Sequence, residues 1–271
     1  MPLPSRDQFD NYVAKGGDYL RREVKRAPEH SQAKNLARSA RDLADTADDL
    51  VHVDAQGHRV LMLSPRDWAY HSTIDGVIAT ALKLRGAEVA YISCGGGLDI
   101  CDRANINEAP PMPCRTCTKY VDAGIDAFGF HRYPLRSYWE TDDDGSWPEL
   151  DELSASELST VVYDGLPLGR LMQTPSKWFL LASRSDWDPL SPQMTRKFLV
   201  SARRVATALR GIFDDFRPDT VVMLSGLFSF EAVALELCSQ LGIETVTYER
   251  TYRRDNIVLA RNGSALSLIH I

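Results

Sequence analysis

No run of this 271-residue sequence stays apolar over the roughly 18 residues that a membrane-spanning helix needs. Its start, Met1-Pro2-Leu3-Pro4-Ser5-Arg6-Asp7, lacks the apolar core of an export signal, so the chain is expected to stay in a reducing cytoplasm. In that compartment its five cysteines read as thiols or metal ligands rather than disulfides. An excess of positive charge is missing too. The formal charge is −6, which argues against non-specific nucleic-acid binding, so no nucleic acid is expected as a partner. Internal repeats and low-complexity stretches are absent. Glycine is absent from the loop Ser64-Pro65-Arg66-Asp67-Trp68-Ala69-Tyr70-His71, which follows the first apolar strand. A dinucleotide fingerprint needs its glycines at that point, so neither NAD nor FAD is expected.

What is present suits a globular protein with a sizeable core: 44% apolar and 25% charged residues. Residues 1–54 read as a polar helical extension with an irregular apolar stripe at Leu20, Val24, Leu36, Leu43 and Leu50. The short basic cluster Arg21, Arg22, Lys25 and Arg26 is either a solvated helix face or a peripheral contact with anionic lipid.

At Arg59 the texture changes. Val60-Leu61-Met62-Leu63 is the continuous apolar run of a strand buried on both faces. Ser72 to Leu84 repeats its apolar residues at helical spacing and is stopped by Gly86, and Glu88 to Ser93 forms the next strand. The same grammar returns with the helix Thr195 to Phe216, the strand Thr220 to Leu224, a Ser225-Gly226 turn, the helix Ser229 to Leu241 and the strand Ile243 to Tyr248. Two strand–helix–strand units predict an α/β fold, a doubly wound Rossmann-like parallel sheet over residues 55–265 with the helical extension before it. Residues 134 to 194, rich in Pro, Gly, Asp and Ser, read as an irregular insertion with short helices, including Glu149 to Ser159 and a loop at Asp164 to Gly169.

Ligands of such sheets bind beyond the carboxyl ends of the strands, in a groove that should be open. That selects Pro65–His71, Cys94–Leu98, Ser225–Phe228 and Glu249–Arg250. His71, Asp67 and Glu249 are the alternatives for a general base. For the lone histidine the competing role is a surface or capping residue. Arg66 and Arg250 offer guanidinium groups to a phosphate or sugar hydroxyl, although Glu249 and Arg250 can equally close a strand end as an ion pair. Ser225 and Gly226 precede a helix N-terminus, suited to an anion, or make a tight turn. Gly95 and Gly96, in Cys94-Gly95-Gly96-Gly97, let the backbone pass close to a ligand or adopt positive φ. The spacing Cys94-x6-Cys101-x12-Cys114-x2-Cys117 can satisfy a tetrahedral structural Zn²⁺, with reduced structural thiols or a labile disulfide as the alternatives. Cys238, among Leu235, Leu237 and Leu241, reads as core packing.

The final hexapeptide, Leu266-Ser267-Leu268-Ile269-His270-Ile271, matches what a transposase sequencing adapter encodes in frame. It is expected to be appended, with residues 256 to 265 leading toward a missing second domain.

Taken in order, several stretches resemble bacterial GT-B glycosyltransferases of the capsular and surface polysaccharide type. They are Arg59 to Leu63, Ala90 to Cys101, Cys114 to Cys117, Tyr163 to Gly169 and Gly242 to Arg250. The resemblance covers about residues 55 to 260. It implies an acceptor-holding N-terminal half, a nucleotide-sugar donor on the facing domain, and a glycan or lipid-linked acceptor. It also implies that any zinc is structural, since GT-B enzymes generally need no catalytic metal. The alternatives are a non-catalytic zinc-stabilised sugar-binding or assembly module and another Rossmann-like enzyme such as a methyltransferase or epimerase. The glycine-free first loop weighs against the latter pair.

Overall fold

Strands that are apolar at every position have to be covered on both sides, and the sheet is arranged to do that. The structure, a computed structural model, describes residues 31, 34–42, 45, 57–109, 112–139, 145–182, 190–251, 253 and 256–268. Its strands are β1 (Arg59–Leu63), β2 (Glu88–Ser93), β3 (His131–Pro134), β4 (Thr220–Leu224), β5 (Glu244–Arg250) and β6 (Ile257–Arg261). They form one six-stranded sheet in the order β3-β2-β1-β4-β5-β6. The neighbours from β3 to β5 pair in parallel, and β6 adds antiparallel to β5.

Alternation along each strand divides the core. Val60, Met62, Tyr91, Val222, Leu224 and Tyr248 meet α1 (Ala69–Leu84) and α2 (Cys114–Phe128) on one face, where Ala37 of the helical stretch 34–42 also packs. Leu61, Leu63, Ile92, Val221 and Met223 meet α3 (Gln173–Leu180), α4 (Ser191–Phe216) and α5 (Ser229–Leu241) on the other. This is the doubly wound, Rossmann-like α/β arrangement. Its strand order reverses between β1 and β4, and a crevice forms at such a point.

Several boundaries differ from expectation. α1 begins at Ala69 rather than Ser72, so His71 lies in the first helical turn instead of ahead of it. α4 starts at Ser191, with Pro192 in its first turn. β5 runs on through Glu249 and Arg250 because β6 supplies their ladder partners, Val258 and Ile257. The segment read as a link is therefore partly an edge strand. α2 and β3 complete a third parallel connection. Within the insertion, one helix from Glu149 to Ser159 is replaced by a 3-10 turn, Pro148–Leu150, and a single turn, Ala155–Leu158. Ser154 breaks the run by capping the second turn reciprocally with Glu157.

The stretch Tyr163 to Gly169 is a tight turn, Tyr163 to Leu166, followed by the start of a helical turn, Leu168–Leu171. Tyr163 and Leu166 exchange backbone hydrogen bonds of 2.9 Å, and Asp164 (φ 47°) and Gly165 (φ 78°) sit at the two left-handed positions of the turn. A Cβ on Gly169 would lie 2.4 Å from the Leu158 carbonyl oxygen and 2.6 Å from Ser159 backbone atoms. Backbone cannot step aside as a side chain can. Gly169→Ala is expected to destabilise by about 1–3 kcal/mol, read from urea unfolding.

The cluster Arg21, Arg22, Lys25 and Arg26, the stripe positions Leu20, Val24, Leu43 and Leu50, and residues 269–271 lie outside the described residues. Leu36 is exposed. Among the described residues no helix is long and apolar enough to cross a membrane.

Candidate functional site

The crevice at the β1/β4 reversal has a filled floor and an aromatic rim. Its floor starts where β1 runs into Arg66 and Asp67, which are only 4% and 2% exposed. The segment after β2 folds back over these tips. Arg103 grips both carboxylate oxygens of Asp67. Arg66 pairs with Glu231, in the first turn of α5, and lies 3.5 Å from Asp102. Asp102 in turn accepts the Ser229 amide at 2.8 Å, and the Ser229 hydroxyl as well. A helix N-terminus at a switch point attracts anions, and here an internal carboxylate already occupies it. Burial pushes the Glu231 carboxyl above its ordinary range.

The groove expected to be open is thus closed at its base by the chain's own Asp102 and Arg103, and Arg66 and Asp67 are engaged within the fold. Ser225 is fully buried at the tip of β4 with φ 28°, and its hydroxyl accepts the Leu227 amide at 3.4 Å rather than facing solvent. Gly226 (φ 82°) lines a separate groove of about 620 Å³ beside α5 and β5, with Glu236, Thr245 and Asn262. Gly95 and Gly96 adopt φ 74° and 78°. A Cβ on Gly95 would fall 2.9 Å from Arg136 Cβ, and one on Gly96 would touch Thr118 and Cys114, so this turn is packed against the protein itself.

Above the floor, side chains face outward. Trp68 packs edge-on against Phe228 at 5.1 Å, and Phe228 against the exposed Trp178 at 5.4 Å. Beneath them the Arg66 guanidinium lies 4.3 Å from the Trp68 ring centroid. His71 stands between Trp68, Tyr70 and Tyr248, with ring centroids 6.0, 5.5 and 6.0 Å away. Arg250 covers the Tyr70 ring at 4.1 Å. Burial, reinforced by the positive charge of Arg66 and Arg250, lowers the His71 pKa to about 4, so the imidazole is neutral at neutral pH. Its Nδ1 is buried without a hydrogen-bond partner.

Below His71, the Tyr248 hydroxyl donates to Asp75 at 2.7 Å and lies 3.2 Å from the His71 carbonyl oxygen. Burial pushes Asp75 up to about 7 against the opposing hydrogen bonds from Tyr248 and Ser64. Strand alternation turns Glu249 to the opposite face from Tyr248 and Arg250, and it accepts the Arg250 amide at 2.8 Å. Of the three base candidates, only His71 stands among the rim residues.

Cys94, Cys101 and Cys117 are buried thiols, and Cys114 is half-buried at the start of α2. Burial pushes Cys94 up to about 11 and raises Cys101 and Cys117 as well. Cys238 is fully buried in the core. Among the described residues no group of three His, Cys, Asp or Glu side chains is already gathered as a metal site.

Sequence reasoning missed Asp75, Asp102, Arg103, Glu231, Trp178 and Tyr248. For Glu231 a signal existed: a carboxylate on the otherwise apolar helix Ser229-Phe230-Glu231-Ala232-Val233. For Trp178, distant along the chain from β1 and β4, there was none. Comparison with protein-family models, with curated proteins and with solved structures found no match for the chain.

Proposed function

We propose that this chain is the acceptor-binding side of a GT-B glycosyltransferase that moves sugar from a nucleotide donor to a glycan or lipid-linked acceptor. The observation that carries the reading is the outward rim of Trp68, Tyr70, Trp178 and Phe228 around a neutral His71, with Arg250 beside it. A pyranose ring offers an apolar C–H face and a belt of hydroxyls. Aromatic faces suit the first, and an unprotonated imidazole and a guanidinium suit the second. The rim also sits at the strand-order reversal, where ligands of doubly wound sheets bind.

In this reading the acceptor hydroxyl attacks the anomeric carbon of a donor held across the rim by a facing domain. Its proton passes to His71 and the nucleoside diphosphate departs. A histidine held near pKa 4 is a weak base in the empty site, and an arriving diphosphate raises it by adding negative charge. Arg250 is placed to meet that charge.

The test is titration of tryptophan fluorescence with oligosaccharides, together with release of nucleoside diphosphate from nucleotide sugars in their presence. Saccharide binding is expected, with Trp178→Ala weakening it at least about tenfold, or roughly 1.4 kcal/mol. Because the facing domain holds the donor, release is read with such a domain joined to the chain, and binding without release there would favour the non-catalytic sugar-binding module. No saccharide response at millimolar concentration removes both readings.

A further inference from the structure

Four of the five cysteines fall within the stretch from Cys94 to Cys117, and Cys94 and Cys101 pack in one buried core cluster. Cys94 follows β2, Cys101 lies in the segment that closes the floor, and Cys114 and Cys117 occupy the first turn of α2. A Cβ on Gly96 would sit 3.4 Å from Cys114 Cβ, so the glycine turn lies directly on the helix start. Once ionised, these sulfurs lie near enough to act on one another's charge: Cys94 with Cys114, Cys101 and Cys117, and Cys101 with Cys117. Cys238 joins none of these contacts.

Backbone N–H groups favour the thiolate form at three of these sulfurs: that of Gly96 at Cys94, that of Arg103 at Cys101 and that of Asp67 at Cys117. A neutral thiol is a weak acceptor and gains little from such a donor. A thiolate gains much more, and amides directed at sulfur are the usual support of metal-bound cysteine. Cations surround the cluster too: Arg66 and Arg136 act on Cys94, and Arg103 on Cys117. A divalent ion with four thiolates carries two net negative charges, which in a buried setting call for positive neighbours.

We propose that Cys94, Cys101, Cys114 and Cys117 bind one zinc ion as a structural, tetrahedral four-thiolate site. Each thiol proton leaves to solvent as its S–Zn bond forms, with no change of oxidation state. Soft sulfur donors and a filled tetrahedron select Zn²⁺ over hard cations and leave no position for substrate. Because the donors are not already gathered at bonding separation, binding draws them together, and the half-buried Cys114 at the helix end has the most room to move. The ion would tie the β2 loop to α2 and to Asp67 at the end of β1. That clamps Asp102 and Arg103 over Arg66 and Asp67, so the site sets the crevice floor. It does not depend on the sugar-transfer reading.

The test uses the whole chain, reduced and stripped of metal, titrated with Co²⁺ and then Zn²⁺. Intense sulfur-to-cobalt absorption and tetrahedral d–d bands saturating at about one ion per chain, lost on adding Zn²⁺, are expected. Cys114→Ser, the mildest change to the core, should weaken Co²⁺ binding at least about tenfold, whereas Cys238→Ser should leave it unchanged. Zinc measured in protein purified without added metal should approach one equivalent. The proposal is overturned by absent cobalt–thiolate bands, by bands that survive Cys114→Ser, by an iron–sulfur chromophore, or by a thiol titration showing two of the four as a disulfide.

Discussion

Replacing Arg66 with alanine is expected to lower the unfolding free energy by about 3–5 kcal/mol, the range for breaking a buried ion pair from one side. The guanidinium is 3% exposed, and its partners Asp102 and Glu231 are 0% and 1% exposed at their side chains. Removing it leaves two carboxylates of like charge in the interior, with Asp102 Oδ1 and Glu231 Oε2 already lacking partners. Contacts of the cation with Trp68, Phe228 and Phe230 go with it. At about 2–4 °C per kcal/mol for a chain of this size, the melting temperature should fall by about 10 °C. Pairing Arg66→Met with Glu231→Gln should recover much of the loss, because the harm lies in the uncompensated charge rather than in the missing pair. A loss below about 1 kcal/mol for Arg66→Ala would mean that water reaches the network.

The second large effect concerns pH. Asp75 has a folded-state pKa of about 7 against an ordinary 3.8, so the folded chain keeps a proton there that the unfolded chain releases. Its contribution to stability is complete below about pH 4 and is lost as pH rises through about 7. Roughly three pKa units correspond to about 4 kcal/mol. His71 works in the opposite sense. Its folded pKa of about 4 against 6.5 means that stability is gained as pH rises across that interval, which masks part of the Asp75 loss in the raw profile. The informative quantity is therefore the difference between the chain and Asp75→Asn. Asparagine can accept the Tyr248 hydroxyl without ever ionising. The two proteins should have similar stability near pH 4, and the variant should be the more stable by a few kcal/mol near pH 8. Arg66, Glu231 and Tyr91 also act on or feel this carboxyl, but they remain in both proteins and drop out of the comparison. Parallel urea-unfolding profiles across this range would show that Asp75 is ionised when folded.

The helical spacing that marks α2 was visible in Cys117, Val121, Ile125 and Phe128, all buried on one side. The Cys114-x2-Cys117 pair that opens it reads equally as two metal ligands. β6 shows the opposite difficulty. Ile257-Val258-Leu259-Ala260 reads as a strand or a linker alike, and only the ladder with Tyr248 and Arg250 decides. His71 could be placed at a strand tip from local order alone. Whether Arg66 and Asp67 met solvent could not, because the residues that cover them, Asp102 and Arg103, lie 36 positions away in each pair.

Apolar runs and glycine stops were sufficient on their own to establish alternating strands and helices and a parallel sheet, because periodicity and turn chemistry act within a few residues. The closing of the crevice floor, the neutrality of His71, the proton on Asp75 and the gathering of Trp68, Phe228 and Trp178 came only with the folded chain. Each depends on desolvation or on contact between distant segments, and a local pattern of residues encodes neither.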